Sequence, residues 1–65
     1  MSRPINEWIS AGVAARRLEI GKDAVLARCR DGRLRAMETA LGWLVDPDSV
    51  DELRIKEEAE RGATN

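Results

Sequence analysis

The sequence predicts a small α+β domain: two short helices, a two-stranded hairpin and a closing helix, in one unit. Three observations lead there. Residues 13–34 carry helical spacing twice, interrupted only by Glu19-Ile20-Gly21 and ended by Gly32. Residues 33–45 lose that spacing and alternate around a glycine-containing turn. Asp46-Pro47-Asp48-Ser49 then opens a third helix with an N-cap aspartate, proline at the first helical position and another acid in the first turn.

Each element has its own justification. Residues 1–7 form a polar arm, and Trp8 and Ile9 lead into Ser10, a good N-cap. The first helix runs from about Ala11 to Leu18, with Ala11, Ala14, Ala15 and Leu18 as its inner stripe and Arg16 and Arg17 beside it. In the turn, Ile20 plugs into the core. The second helix begins near Lys22 behind the weaker cap Gly21, places Val25 and Cys29 inward and ends at Asp31-Gly32. Two strands follow, Arg33 to Met37 and Trp43 to Val45, around Glu38-Thr39-Ala40-Leu41-Gly42. The third helix reaches Arg61, with Gly62 as its stop and residues 63–65 as a tail. Val50 and Leu53 point inward, while Ile55 and Ala59 lie on another side; an exposed Ile is ordinary surface, with a weak self-association stripe as the alternative. Glu52 with Lys56, Lys56 with Glu60 and Glu57 with Arg61 have the spacing of surface ion pairs. Trp43 is expected in the core, packing the third helix on the hairpin, and Trp8 as a lid over it.

Composition narrows the function. A chain of 65 residues makes one domain, and one this short buries only about 60% of its unfolded surface. That leaves little material for the walls of a catalytic cleft. There is no histidine, hence no His-based nucleophile or acid–base pair, and one cysteine, Cys29, makes neither an internal disulfide nor a structural zinc site. The acids of the third helix are spaced like a solvated face, and no glycine-rich loop has phosphate-binding spacing. No enzyme activity, cofactor or metal is expected. No apolar run approaches the roughly 20 residues that span a bilayer, and Met1-Ser2-Arg3-Pro4-Ile5 lacks a signal-peptide core. The expected setting is the cytoplasm, on the nucleoid, with no membrane partner.

The charge is unevenly spread. Residues 1–35 carry eight basic and four acidic side chains, a net of +4, and residues 36–65 carry three and eight, a net of −5. Such asymmetry gives a basic binding face and an acidic far side. Two helices joined by so tight a turn present one helix to the DNA major groove. Lys22 and Arg30, at the two ends of the outer face of the second helix, are the leading DNA contacts. Asp23 either serves the helix dipole or accepts from a cytosine amino group. Leu26 and Ala27 reach a thymine methyl, or Leu26 covers core instead. Arg16 and Arg17 are phosphate candidates, as are Arg33 and Arg35 at the hairpin base. Arg28 lies nearer the inner face and runs its stem along apolar surface. Cys29 reads as a small buried hydrophobe.

The order helix–turn–helix–hairpin–helix resembles the MerR-like winged helix-turn-helix, and more closely the short phage excisionases, also called recombination directionality factors. Val13 to Ile20 resembles the family's first helix, with Ala15, Leu18 and Ile20 in its apolar places. Lys22-Asp23-Ala24-Val25 resembles the start of the second helix, and Arg30-Asp31-Gly32-Arg33-Leu34 the signature that closes it and opens the wing. Gly42-Trp43-Leu44-Val45 is similar to the returning strand, and Asp46-Pro47-Asp48-Ser49-Val50-Asp51-Glu52-Leu53 to the closing helix. The likeness covers roughly residues 8–54. The chain departs from the family pattern at Gly21, where Ser or Thr is usual, at Leu26 and Ala27, and at a hairpin tip without a basic residue. The resemblance implies cooperative binding to double-stranded attachment-site DNA, a phage integrase as partner, and weak or DNA-dependent self-association. A small transcription regulator of the same fold and a protein-binding adaptor remain as alternatives.

Overall fold

A computed structural model describes residues 3–63. Three helices pack with one three-stranded antiparallel sheet. After a single 3-10 turn at Ile5–Glu7 come strand β1 (Ile9–Ser10), helices α1 (Ala11–Leu18) and α2 (Lys22–Arg30), strands β2 (Ala36–Thr39) and β3 (Gly42–Val45), and helix α3 (Pro47–Ala63).

The Ser10 hydroxyl caps α1 by accepting from the Val13 N–H at 3.2 Å, and the inner stripe Ala11, Ala14, Ala15 and Leu18 is buried. The helix ends in two reversed hydrogen bonds, Glu19 N–H to Arg16 O at 3.3 Å and Ile20 N–H to Ala15 O at 3.1 Å. That pattern needs a left-handed residue just after the helix. Here it is Glu19, at φ 57°, not the glycine two places on: Gly21 sits in extended backbone at φ −73°. Ile20 then folds down against the core. In α2, Val25 and Cys29 are buried and Leu26 leans on the core from the flank. Burial pushes the Cys29 thiol up, so it stays protonated at neutral pH. Gly32, at φ 80°, turns the chain out of α2.

The first strand was expected from Arg33, but β2 begins only at Ala36. The intervening amides have other acceptors. Arg33 and Leu34 N–H both reach back to Arg28 O, at 3.0 and 3.3 Å, and Arg35 N–H donates to the Ser49 hydroxyl at 3.2 Å. The sheet also holds a strand that the sequence does not announce. Strand β1 pairs with β3, Ile9 opposite Val45, so the order is β1-β3-β2. Two residues are too few to display an alternation, and only the pairing defines them as a strand. Val45, opposite both Ile9 and Ala36, is fully buried at the centre of the sheet's core face.

Asp46 caps α3. Its Oδ1 accepts from Asp48 N–H at 3.0 Å, while its carbonyl accepts from the Ser49 and Val50 N–H groups. Pro47 takes the first helical position, where its missing N–H costs nothing. Val50 and Leu53 complete the core. The helix does not stop at Gly62 but continues to Ala63. Glycine in a helix costs only about 1 kcal/mol, and the helix runs through Gly62 at that cost. Among the described residues 54–62 only Glu57 is partly shielded, so the second half of α3 projects and gives the molecule a 42 Å long axis.

The arm is tied down. Arg3 pairs with Asp48 at 3.1 Å and Glu7 at 3.3 Å, and the Trp8 indole N–H donates to Arg3 O at 2.7 Å. Trp8 is half-buried on this arm and is not among the side chains packed on the core, unlike Trp43. Met1, Ser2 and the tail residues Thr64 and Asn65 lie outside the described residues. Among the described residues no helix is long and apolar enough to cross a membrane.

Two expectations follow for stability. Glu19→Gly removes a side chain from left-handed backbone and raises folding stability by about 1 kcal/mol in urea titration. Asp46→Ala strips the α3 cap from a site with 0% exposure and lowers stability by about 2 kcal/mol.

Candidate nucleic-acid interface

With Val25 and Cys29 turned inward, helical geometry sends Asp23, Ala27 and Arg30 outward, whereas Lys22, expected on the same outer face, lies three and seven residues before Val25 and Cys29 and so on their side of the helix; it is exposed because it opens the first turn, and the other three are exposed as well. Lys22 and Arg30 stand about 12 Å apart along the axis at 1.5 Å per residue. Neither makes an ion pair or side-chain hydrogen bond among the described residues, so both are available to an anion. Between them the surface is small and flat at Ala27. Leu26 is half-buried against the core, which takes up its side chain and leaves it a lesser part in any contact. Asp23 is exposed in the first turn of α2 and suits the helix dipole there.

The remaining cations divide into two sets. Arg35 is committed to the protein: its Nε donates to Asp46 Oδ2 and one terminal nitrogen to Glu52, both at 2.9 Å. These two carboxylates raise its pKa further, Glu52 having the larger effect. Arg28 is committed as well, to Glu57 at 2.9 Å and to the Ala24 carbonyl at 3.1 Å. With Arg3 on Asp48, three of the eight basic residues in the first half are held by acids of the second half. Glu52 and Glu57 thus turn to α2 and the hairpin base. The expected Glu52–Lys56 pair does not form, and Lys56 is left without an ion pair among the described residues.

Arg16, Arg17, Lys22, Arg30 and Arg33 are exposed and make no ion pair among the described residues. They do not form one patch. Arg17 borders a depression of about 260 Å³ shared with Arg3, Glu7, Asp48 and Asp51, so acids screen it. Arg33 overhangs α3 beside Leu53, Lys56, Glu57 and Glu60. Arg16 lies about 100° around α1 from Arg17. The cations least compromised by acids are therefore Lys22 and Arg30, then Arg16.

The sequence reading singled out no individual residue at the hairpin tip, and the structure picks out Leu41, which is 102% exposed. Its turn is held by Thr39, whose hydroxyl donates to Gly42 O at 2.6 Å and accepts from Leu41 N–H at 3.2 Å. The available signal was a leucine in a turn, where polar residues are the rule. Ile55 is also exposed, at 63%, but Asp51, Glu52 and Glu58 are its helical neighbours. An open groove of about 510 Å³ between the α1–α2 turn and the end of α3 has Leu18 and Ile20 at its base and Glu19, Glu60 and Arg61 on its rim. Among the described residues no group of three or more His, Cys, Asp or Glu side chains is placed to hold a metal ion.

Compared with protein families, curated proteins and solved structures, the chain matches none.

The two sets of cations separate in mutation. Arg35→Ala lowers the thermal midpoint, because it takes the guanidinium away from the buried Asp46 carboxylate. Arg30→Ala, at an exposed position without an ion pair among the described residues, leaves folding stability unchanged within about 0.5 kcal/mol.

Proposed function

We propose that the chain is a winged helix-turn-helix protein that binds double-stranded DNA, with α2 in the major groove and the β2–β3 hairpin as the wing. One observation carries this reading. Lys22 and Arg30 stand exposed at the two ends of α2, without an ion pair among the described residues, in a chain that uses its own acids to hold Arg3, Arg28 and Arg35. A short helix with cations at both ends and a small residue between them fits a groove about 12 Å wide. Arg16 is placed for a flanking phosphate. Arg35 acts by holding the hairpin to α3, and Arg17 and Arg33 contribute less because acids stand beside them.

The role within DNA binding rests on the order of elements, which resembles that of the phage excisionases. One such module buries about 600–1,000 Å² on DNA, too little for high specificity alone. Several copies on adjacent sites then bind cooperatively and favour integrase-mediated excision. A transcription regulator of the same fold uses the same face of α2, and the DNA it selects tells the two apart.

The test is a mobility-shift titration at two salt concentrations with DNA from around the gene's own locus, including any attachment site. A ladder of salt-sensitive, cooperative complexes on attachment-site DNA is the expected result. Single complexes on a promoter favour the regulator. Lys22→Ala and Arg30→Ala are each expected to weaken binding and to reduce the slope of log affinity against log salt by about 1. Undiminished affinity in both variants removes α2 as the reading helix, and no binding at low salt removes the DNA reading.

A further inference from the structure

We propose that Leu41 is an apolar wedge that enters the minor groove next to the α2 contact and opens a base step there. The inference rests on the DNA-binding reading above and adds a residue, a groove and a mode of action to it.

Four observations converge on this side chain. Leu41 is 102% exposed, so the fold makes no use of its apolar surface. The turn does not require it either. Ala40 and Leu41 both have negative φ, and the positive φ, 119°, falls on Gly42; Asp, Asn or Ser fits such a position equally well. The tip is also rigid, since the Thr39 hydroxyl bonds to both sides of the turn and the four β2–β3 residue pairs continue up to Thr39 and Gly42. Finally the tip is slender. Ala40 and Gly42 flank the leucine, so the end of the hairpin is one large side chain wide and suits a groove of about 6 Å.

Reach and charge decide where such a tip goes. Strand β2 advances about 3.3 Å per residue, which carries Leu41 roughly 13 Å beyond the hairpin base. That base is joined to the end of α2 by the five residues 31–35. A helix in the major groove has a minor groove across one sugar–phosphate backbone, and a projection of this length crosses it. The tip carries no cation, and Glu38 stands exposed three residues back. It gains nothing from phosphates, so the only attraction it offers is apolar. Leucine inserted between base steps, unstacking them and bending the duplex, is an established way to use such a side chain. Among the described residues Ile55 is the other large aliphatic side chain more than half exposed, and it lies on α3 one helical turn from Asp51, Glu52 and Glu58.

The experiment uses the full chain and a short duplex recovered by it from a random pool. The duplex is end-labelled for energy transfer in one form and carries 2-aminopurine at successive steps in another. Wild-type protein is expected to shorten the end-to-end distance and to brighten 2-aminopurine at one step beside the α2 contact. Leu41→Ala abolishes both signals and weakens binding about tenfold. It leaves the slope of log affinity against log salt unchanged, because no phosphate contact is lost. Leu41→Met retains the bend. The thermal midpoint stays put in both variants, since the side chain touches nothing in the free protein. An unchanged bend and unchanged fluorescence in Leu41→Ala, with binding intact, overturn the wedge and leave the α2 reading standing. Loss of cooperativity between copies, with single-site affinity and bend unchanged, also overturns it and assigns Leu41 to a protein contact. If the wild-type chain recovers no duplex at low salt, both readings fall together.

Discussion

Asp46, just past the end of β3, joins that strand to α3, the segment before β2 and the arm at one buried point. Its Oδ1 closes the first turn of α3 through Asp48 N–H, and its Oδ2 receives Arg35 from the segment before β2. The Arg3 N–H approaches the same Oδ1 at 3.5 Å, and Asp46 N–H donates to Arg35 O at 2.8 Å just past the end of β3. A carboxylate with 0% exposure is tolerable only with such partners, because an ionised group without them is too costly to bury. The requirement is mutual. A small core of alanines, valines and leucines exerts little orientational control, and the charged knot supplies direction to the helix, the hairpin and the arm that meet there.

That knot shapes the surface as well as the interior. Acids of α3 and its cap hold Arg3, Arg28 and Arg35, which removes three cations from the exterior. What is left exposed and unpaired near the two-helix segment is a shorter set, and position refines it further. Arg17 faces Asp48 and Asp51 across a depression, and Arg33 leans over α3. A net charge of −1 therefore says little about what the molecule presents to a polyanion. The local arrangement decides, since screening over about 8–10 Å isolates one face from the other.

The hairpin adds a different kind of surface. Its core side is pinned by Val45 and Trp43, and its base is pinned by Arg35. Its far end is stiffened by one threonine and bears a single leucine in solvent. An element anchored at one end and apolar at the other is built to reach outward, and it is covalently continuous with the end of α2.

The sequence by itself determined the local elements. Ser10, the alanine stripe, Val25 with Cys29, and Asp46-Pro47 are short-range signals, and α1, the start of α2 and the start of α3 fall where those signals put them. Periodicity and capping act within a few residues, so they survive without knowledge of the rest of the chain. Tertiary structure decided what long-range pairing decides. Strand β1 exists only because Ile9 meets Val45, β2 starts late because Arg33, Leu34 and Arg35 spend their amides elsewhere, and Leu26 turns toward the core. The same holds for the candidate site. Exposure of Ala27 and Arg30 followed from helical spacing, and that of Lys22 from its place at the start of α2. The withdrawal of Arg35 did not, because Asp46 and Glu52 are 11 and 17 residues away, and no local pattern reports which acid a long, flexible guanidinium will find.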